Sequence, residues 1–191
     1  MSLNMQKGEN LNISKTNPSL SKIMIGLGWD VNSKKTTNSY NFDLDASVFM
    51  MSKDSKLQWS DVVYFNNLKS PCKSVIHQGD NLTGEGDGDD EQILVDLKKI
   101  PTKFEKLLLI VNIYQANQRS QRFGMVDNSY IRLVDNETGT EVARYDLRED
   151  ASSATGIIFG ELYLHNGDWK FRALGDTVNG SLDEIAGKFV V

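Results

Sequence analysis

Short apolar runs, each bounded by Gly, Asn, Asp or Ser, recur along the sequence and restrict the chain to folds built from strands. Runs of this length between turn-forming residues are typical of β-strands. Residues 135–139 and 165–168 carry hairpin signatures, because Asn and Gly readily adopt the positive φ angles of tight turns. We therefore predict an all-β protein, a β-sandwich of two antiparallel or mixed sheets. The predicted strands are residues 22–29, 40–51, 62–66, 92–97, 107–114, 130–135, 141–147, 157–165 and 169–174.

One run, residues 107–113, is apolar on both faces, which is typical of a central strand covered on both sides. Ser181 and Glu184 form a capping-box pattern, which predicts a short helix near the C-terminus over residues 182–189. A second short helical turn is predicted around residues 117–123. The N-terminal segment, up to about residue 17, is predicted to supply an edge strand.

The length of 191 residues suits one domain, and we assign residues 1–191 to it. Met5 offers a second start, with the residues before it as an addition, and residues 1–6 as a whole are expected to be either added or disordered. No apolar run reaches the roughly 18 residues of a membrane span, and the first residues lack the features of a signal peptide. We therefore expect a cytoplasmic protein. Cys72 is the single cysteine, which excludes an internal disulfide and a thiolate metal cluster.

The negative charge of the chain is concentrated in one segment. The formal net charge is −5, and residues 80–91 contribute six acidic side chains and no Lys or Arg. Elsewhere, 21 basic residues balance 20 acidic ones, so the chain as a whole is not acidic. The sequence has no basic stripe with interleaved aromatic residues, which argues against nucleic acid as a partner.

The segment 80–91, here called the acidic loop, combines its six carboxylates with Gly84, Gly86 and Gly88. Glycine permits tight folding, and tightly folded carboxylates need a cation, because each close pair costs up to roughly 4 kcal/mol at an effective dielectric constant near 20. Calcium takes about 6–8 oxygen ligands in flexible geometry, so we predict calcium first and magnesium second. A solvated, disordered loop is the alternative. The loop is not an EF-hand, because Leu82 and Gly84 stand where that motif needs oxygen ligands.

A second acidic feature lies upstream. Asp43 and Asp45 are two residues apart on a predicted strand, so both point to one face. Adjacent carboxylates on a strand are unfavourable without a counter-charge, which a metal, a lysine or solvent can supply. Asp30, at a strand end, is a third candidate. If these residues approach the acidic loop, the ligands suffice for two divalent ions, and we favour two sites over one.

Motifs for catalysis are missing from the sequence. His77 and His165 are the only histidines, and neither stands in a nucleophile motif, so both are interpreted as structural. Residues 84–88 are rich in glycine but lack the Lys-Ser/Thr of a phosphate loop. Arg119 and Arg122 offer an anion site, although a solvated charged turn is the simpler interpretation. We predict no catalytic residue and no enzyme activity.

Several segments together resemble the TerD family of tellurium-resistance and stress-response proteins. The resemblance runs from about residue 7 to the C-terminus, and the acidic loop makes it specific. The segments are GLGWD at 26–30, FDLDASVF at 42–49, GDNLTGEGDGDDE at 79–91, ARYDL at 143–147 and FGELY at 159–163.

The resemblance implies a β-sandwich that binds calcium, usually two ions, through acidic loops. It also implies a bacterial cytoplasmic protein that acts with partner proteins in resistance to tellurite, other chemical stress, phage and colicins. One of those partners is expected to be embedded in the membrane. The metal-ligand positions matched to the family are Asp30, Asp43, Asp45, Asp80, Asn81, Thr83, Glu85, Asp87, Asp89, Asp90 and Glu91.

We therefore hypothesise a calcium-binding, non-catalytic module that recruits other proteins of a resistance system. Direct reduction of tellurite needs electrons, and a chain with one cysteine has no dithiol to supply them. The expected location is cytoplasmic, or peripheral to the inner membrane through a partner. Two alternatives are a calcium-dependent membrane-docking domain and a hydrolase whose metal activates water.

Overall fold

The computed structural model describes residues 3–5, 7–33, 40–86 and 88–190. Within these ranges, two six-stranded sheets enclose a shared apolar core and form a β-sandwich. The fold class predicted from the sequence is therefore confirmed.

Strands are numbered along the chain, and their order within each sheet runs from one edge to the other. The first sheet contains β1 (Leu3–Asn4), β10 (Glu141–Asp146), β9 (Tyr130–Asp135), β3 (Lys22–Gly28), β7 (Glu91–Asp96) and β6 (Val75–His77). The second sheet contains β2 (Asn10–Asn12), β12 (Asp168–Val178), β11 (Gly156–His165), β8 (Phe104–Ile113), β4 (Leu44–Ser52) and β5 (Val62–Val63). β1 pairs with β10 in parallel, and the other paired strands of the two sheets are antiparallel.

The N-terminal segment supplies an edge strand to each sheet. β1 lies beside β10 at one edge of the first sheet, and β2 lies beside β12 at one edge of the second. Met5, between them, is buried in the core. Of the six residues that the sequence sets apart, residues 1, 2 and 6 lie outside the described part of the chain.

Helical structure is confined to single turns in the described residues. These are α1 (Ile13–Thr16), α2 (Ala116–Arg119), α3 (Leu147–Asp150) and α4 (Leu182–Ala186), with 3₁₀ turns at Trp59–Asp61, Leu97–Lys99 and Phe123–Met125. The predicted capping box of α4 is present: Glu184 N donates to Ser181 Oγ, and Ser181 N donates to Glu184 Oε2 at 2.8 Å. None of the helices described here is long and apolar enough to span a membrane.

β8 is the doubly covered strand that the sequence predicts. It lies between β11 and β4, and its side chains alternate between two apolar clusters. Leu109 and Val111 face the core between the sheets, whereas Leu108 and Ile110 face a second cluster that α4 covers. Full burial of each such side chain contributes about 1.5–3 kcal/mol.

Two predicted hairpins are confirmed. Asn166 and Gly167, with φ angles of 54° and 83°, connect β11 to β12. Between β9 and β10, Asp135 Oδ1 accepts a hydrogen bond from Glu137 N at 2.9 Å, and Gly139 has a φ of 71°. Side-chain caps of this kind fix tight turns.

Most strand bounds differ from the sequence prediction by one to four residues, and three of the differences are informative. β6 was not predicted, because three residues are too few to establish an alternating pattern. β4 begins at Leu44 rather than at residue 40, so Asp43 immediately precedes the strand. β12 continues to Val178, where exposed polar residues conceal the strand signal.

Candidate metal centre

The acidic residues converge at one end of the sandwich because three chain segments meet there. Asp43 and Asp45 lie at the start of β4, Asp80 follows β6, and Glu91 begins β7. β4 belongs to the second sheet and β7 to the first, so the cluster joins the two sheets.

Three carboxylates form the centre of this cluster. Asp43, Asp45 and Asp80 each bring one carboxylate oxygen to within 4.8 Å of the other two. Two oxygens bound to one calcium ion lie at most about 5 Å apart, because each Ca–O distance is roughly 2.3–2.6 Å. Asp43 and Asp45 are only 4% and 2% exposed, so water does little to screen their repulsion.

The environment disfavours the charged form of these acids. Burial raises the pKa of Asp45 to about 9, and the nearby charges of Glu91, Asp43 and Asp80 act in the same direction. Burial also raises the pKa of Asp43, although Arg119 opposes the shift. A divalent cation would reverse this balance, since it stabilises the ionised carboxylates.

Few protein groups neutralise the cluster. Arg119 Nη1 lies 3.3 Å from Asp43 Oδ2, and Asn112 Nδ2 donates to Asp45 Oδ2 at 3.0 Å. Asp43 Oδ1 and Asn112 Oδ1 are both buried and have no hydrogen-bond partner among the described residues. Unpartnered buried oxygens are rare, and a hard cation would satisfy them.

Glu91 fastens the end of the acidic loop to the opposite sheet. Its Oε2 accepts from Ala46 N at 2.8 Å, and its Oε1 accepts from Asn81 N at 3.4 Å. His77 Nε2 lies 3.5 Å from Glu91 Oε2, while His77 Nδ1 accepts from Gly79 N at 3.2 Å. Burial raises the pKa of Glu91, and the neighbouring His77 ring opposes that shift.

Asn81 organises the first half of the acidic loop. Its Oδ1 accepts hydrogen bonds from Thr83 N and Gly84 N, both at 3.0 Å. Its Nδ2 donates to Glu85 O at 3.3 Å and to Asp90 Oδ1 at 3.1 Å. An Asn side chain that replaces backbone partners in this way fixes a tight turn.

Gly84 is required where the loop meets Trp29. It has a φ of +74°, and a Cβ atom there would lie 2.6 Å from Trp29 Nε1 and 2.8 Å from Trp29 O. A larger residue would therefore be strained in its backbone and would also clash with the indole.

A second acidic group lies between the loop and the end of β3. Asp90 Oδ2 accepts from Trp29 N at 2.9 Å, and Asp30 Oδ2 accepts from Asn128 Nδ2 at 2.7 Å. Burial raises the pKa of Asp90, the Trp29 hydrogen bond opposes the shift, and the charges of Asp89 and Asp30 reinforce it. Asp30, Asp90 and the Asn81 side chain thus form a second polar group, at the junction of the acidic loop and β3.

Asp89, next to Asp90 in the loop, already has a cation of its own. Arg132 Nε and Nη2 donate to its two oxygens at 2.8 and 2.9 Å, and Tyr130 Oη donates to Asp89 Oδ1 at 3.1 Å. The Asp89 side chain is fully buried, against the Cα side of Gly26. Its predicted role as a metal ligand remains a prediction.

The remaining predicted ligands have weaker structural support. Thr83 Oγ1 accepts from Glu85 N at 3.3 Å, so it helps to shape the loop, and Glu85 is exposed. Asp87 lies outside the described residues.

Asn112, His77, Arg119 and Arg132 contact the predicted ligands, although the sequence analysis did not assign them to the site. Asn112 has a recognisable signal, because it is the one polar residue in the apolar run 107–113.

The chain is similar over nearly its whole length to several known proteins. The TerD domain profile matches residues 1–189. The tellurium resistance protein TerD of Serratia marcescens is 47% identical over 190 residues, covering 99% of this chain and 97% of the relative. The general stress protein 16U of Bacillus subtilis (strain 168) is 46% identical over 187 residues, covering 97% and 96%.

A solved structure supports the same fold. It is that of a homologue of the telluride resistance protein TerD from Streptomyces coelicolor A3(2), and it superposes with a TM-score of 0.75 at 20% identity. The superposition covers 88% of this chain and 96% of the other. With a profile match along almost the whole sequence and near-full-length relatives above 45% identity, the chain belongs to the TerD family of tellurium-resistance and stress-response proteins.

Proposed function

We propose that this protein is a calcium-binding, non-catalytic module of a bacterial tellurite and chemical-stress resistance system, and that bound calcium stabilises it for the recruitment of partner proteins. One observation carries the metal assignment: the carboxylates of Asp43, Asp45 and Asp80 lie within 4.8 Å of one another, and two of these residues are buried. Such an arrangement is unfavourable when all three groups are ionised and unpaired.

The donor atoms favour a hard cation. Carboxylate and amide oxygens surround the centre, with the unpartnered Asp43 Oδ1 and Asn112 Oδ1 among them. Calcium accepts such a set without ideal octahedral order, whereas magnesium usually retains several waters. Zinc and copper prefer nitrogen and sulfur ligands. His77, the histidine beside Glu91, uses its Nδ1 to accept from Gly79 N.

A second calcium ion is part of the proposal. Asp30 and Asp90 are close enough for the charge of one to raise the pKa of the other, and Asn81 contacts Asp90. An ion there would bind the two sides of the loop to the end of β3. Asp89 is less suited to bind a metal than Asp30 or Asp90, since Arg132 already neutralises it.

We assign a non-catalytic role because the polar groups around the centre are used to build it. The Glu91 carboxylate accepts two backbone hydrogen bonds, and His77 is buried, so neither is poised to move a substrate proton. A metal ion whose coordination positions are all filled by the protein would fix the shape of the loop. A loop of fixed shape is suited to recognition by partner proteins. The names of the relatives, which refer to tellurium resistance and general stress, support a role in such a system. The partners would be other proteins of that system, including one embedded in the inner membrane, and this chain would act in the cytoplasm.

The test is calorimetric titration of calcium into protein stripped with EDTA. Asp45→Asn preserves the shape of the side chain and removes one central charge, and Asp54→Asn removes an equal charge from an exposed turn. We expect Asp45→Asn to weaken one site at least about tenfold, as expected for the loss of a charged ligand, and Asp54→Asn to match the wild type. Equal calcium binding by all three proteins would refute the assignment.

Thermal melting provides an independent readout. At a free calcium concentration about 100 times Kd, each occupied site should stabilise the fold by roughly 2.7 kcal/mol. Magnesium at the same concentration should stabilise it less. A melting temperature that does not respond to calcium would contradict the proposal.

A further inference from the structure

A pocket opens on the outer side of the second sheet, beside the metal centre. Its volume is about 540 Å³, and it lies between the β8–α2 connection, the turn after β5 and the start of α4. Asp45 and Asn112 form part of its wall. The proposed calcium function does not account for this pocket.

Three aromatic rings line one side of the pocket. Phe65 packs edge to face between Tyr64, at a centroid distance of 5.3 Å, and Tyr114, at 6.0 Å. This mutual packing holds the rings in fixed orientations, and Tyr114 is 37% exposed. Rigid, accessible aromatic faces attract cations through the ring quadrupole.

The charged groups of the lining are all acidic. Asp183 and Glu184 contribute carboxylates at the rim, and the described residues of the lining include no Lys, Arg or His. Asp183 is exposed at the rim, and Glu184 is held there by its hydrogen bond from Ser181 N. The other polar groups are mainly side-chain amides, among them Asn66, Gln115 and Asn117. An anion would meet only repulsion from the carboxylates, whereas a cation would find opposite charge and aromatic faces together.

The protein itself demonstrates that Tyr114 accepts a cation. The Arg119 guanidinium carbon lies 5.1 Å from the centroid of the Tyr114 ring. Arg119 pairs with Asp43 and is not itself part of the pocket lining, whose described charged side chains are carboxylates.

We propose that this pocket binds an organic cation, an ammonium or guanidinium group, seated against Phe65 and Tyr114 and paired with the carboxylates of the rim. A free amine and the side chain of an arginine-containing peptide both supply this chemistry. The volume accommodates either, since small-molecule sites are typically about 300–1,000 Å³.

The test uses agmatine, which carries one ammonium and one guanidinium group, in calorimetric or NMR titration. The matched probe is 4-guanidinobutyrate, in which a carboxylate replaces the ammonium. EDTA is present throughout, so the outcome is independent of calcium binding. We expect agmatine to bind and 4-guanidinobutyrate to bind at least about tenfold more weakly, because its carboxylate faces like charge. A blocked Gly-Arg-Gly peptide forms a second arm, and tighter binding of this peptide than of agmatine would identify a protein side chain as the source of the cation.

Variants then locate the binding. Phe65→Leu keeps apolar volume without the π face, and Asp183→Asn removes one rim charge. Each should weaken agmatine binding by about three- to tenfold, and Asp54→Asn, which removes a charge elsewhere, should leave it unchanged. Circular dichroism melting of each variant checks that the fold is intact. No binding of agmatine and of the peptide, or equal binding by wild type, Phe65→Leu and Asp183→Asn, would overturn the proposal.

Discussion

Arg119 Nη1 lies 3.3 Å from Asp43 Oδ2, so an arginine already occupies one side of the acidic centre. The rings of Tyr40 and Tyr114 lie 5.2 and 5.1 Å from its guanidinium carbon and hold it in place. The protein therefore carries a built-in counter-cation at the site where we propose that calcium binds. Arginine and the proposed calcium ion would act on the same carboxylate, so we expect Arg119 to influence metal affinity.

Removal of that charge should strengthen calcium binding. We expect Arg119→Gln to lower the calcium Kd by about five- to tenfold, because a positive charge within a few ångströms opposes a divalent ion. Arg122→Gln is the matched control, since Arg122 is exposed and donates to Ser153 O at 3.3 Å. Calorimetry in low salt measures both. An unchanged Kd for Arg119→Gln, or the same gain for Arg122→Gln, would show that the Asp43 contact has no effect on the ion.

The acidic centre should make the metal-free protein less stable as the pH rises. The pKa of Asp45 is raised to about 9 from its ordinary value near 3.8, so its contribution to stability is complete below pH 3.8 and is lost as the pH rises towards 9. Across that window each proton released on unfolding lowers the free energy of unfolding by about 1.4 kcal/mol per pH unit. Raised pKa values at Asp43, Asp90 and Glu91 act in the same direction.

Urea denaturation in EDTA between about pH 5.5 and pH 8.5 measures this effect. Asp45→Asn, which cannot ionise, should show a shallower dependence on pH than the wild type. Asp54→Asn should retain the wild-type slope. If the wild type and Asp45→Asn have the same slope, the Asp45 carboxyl does not titrate as its burial implies.

The contact between Gly84 and Trp29 should make Gly84→Ala more damaging than an ordinary glycine replacement. Gly139 has a φ of +71°, close to the +74° of Gly84, but a Cβ atom there meets nothing within 4 Å. Gly139→Ala should therefore cost about 1 kcal/mol from backbone strain, and Gly84→Ala about 1–3 kcal/mol more from the clash with the indole. Chemical denaturation, with Trp fluorescence as the probe, compares the two. Equal losses of stability would mean that the Trp29 indole moves aside without lowering the free energy of unfolding.

Breaking the ion pair between Asp89 and Arg132 should destabilise the protein more than breaking an exposed pair. Arg132→Met leaves the fully buried Asp89 carboxylate without its main donor, and we expect a loss of about 2–3 kcal/mol, since Arg132 is itself partly exposed. Arg148→Met, which breaks a half-exposed pair with Asp127, should cost less than about 1 kcal/mol. Urea unfolding without metal measures both losses of stability. Similar losses would show that burial of the Asp89 carboxylate does not strengthen its ion pair with Arg132.

The sequence predicts the strands well where alternation is long and poorly where it is short. The strand 130–135 matches β9 at both ends, because a clear apolar pattern is bounded by turn residues. β6 escaped prediction because its three residues carry no period of their own, and its pairing with β7 defines it. The local sequence pattern thus identifies a strand only when the strand is long enough for the apolar alternation to repeat.

The sequence predicts the acidic residues of the candidate site but not the arginine side chains that contact them. Asp43 and Asp45 share a face because of strand alternation, and the acidic loop is visible from its composition. Arg119 and Arg132, however, lie 76 and 43 residues from the carboxylates they contact, and no local rule selects such partners. Which carboxylates receive an arginine, and which remain for a metal, is therefore decided by the tertiary fold.

The hydrogen bond from Ala46 N to Glu91 Oε2 has a mechanical consequence. Through it, Glu91 at the start of β7 in the first sheet binds the backbone of β4 in the second sheet. The two sheets therefore cannot slide past each other at this end unless this hydrogen bond breaks. A change in the shape of the loop that moves Glu91 would therefore also pull on the backbone at the start of β4, the strand that carries Asp45.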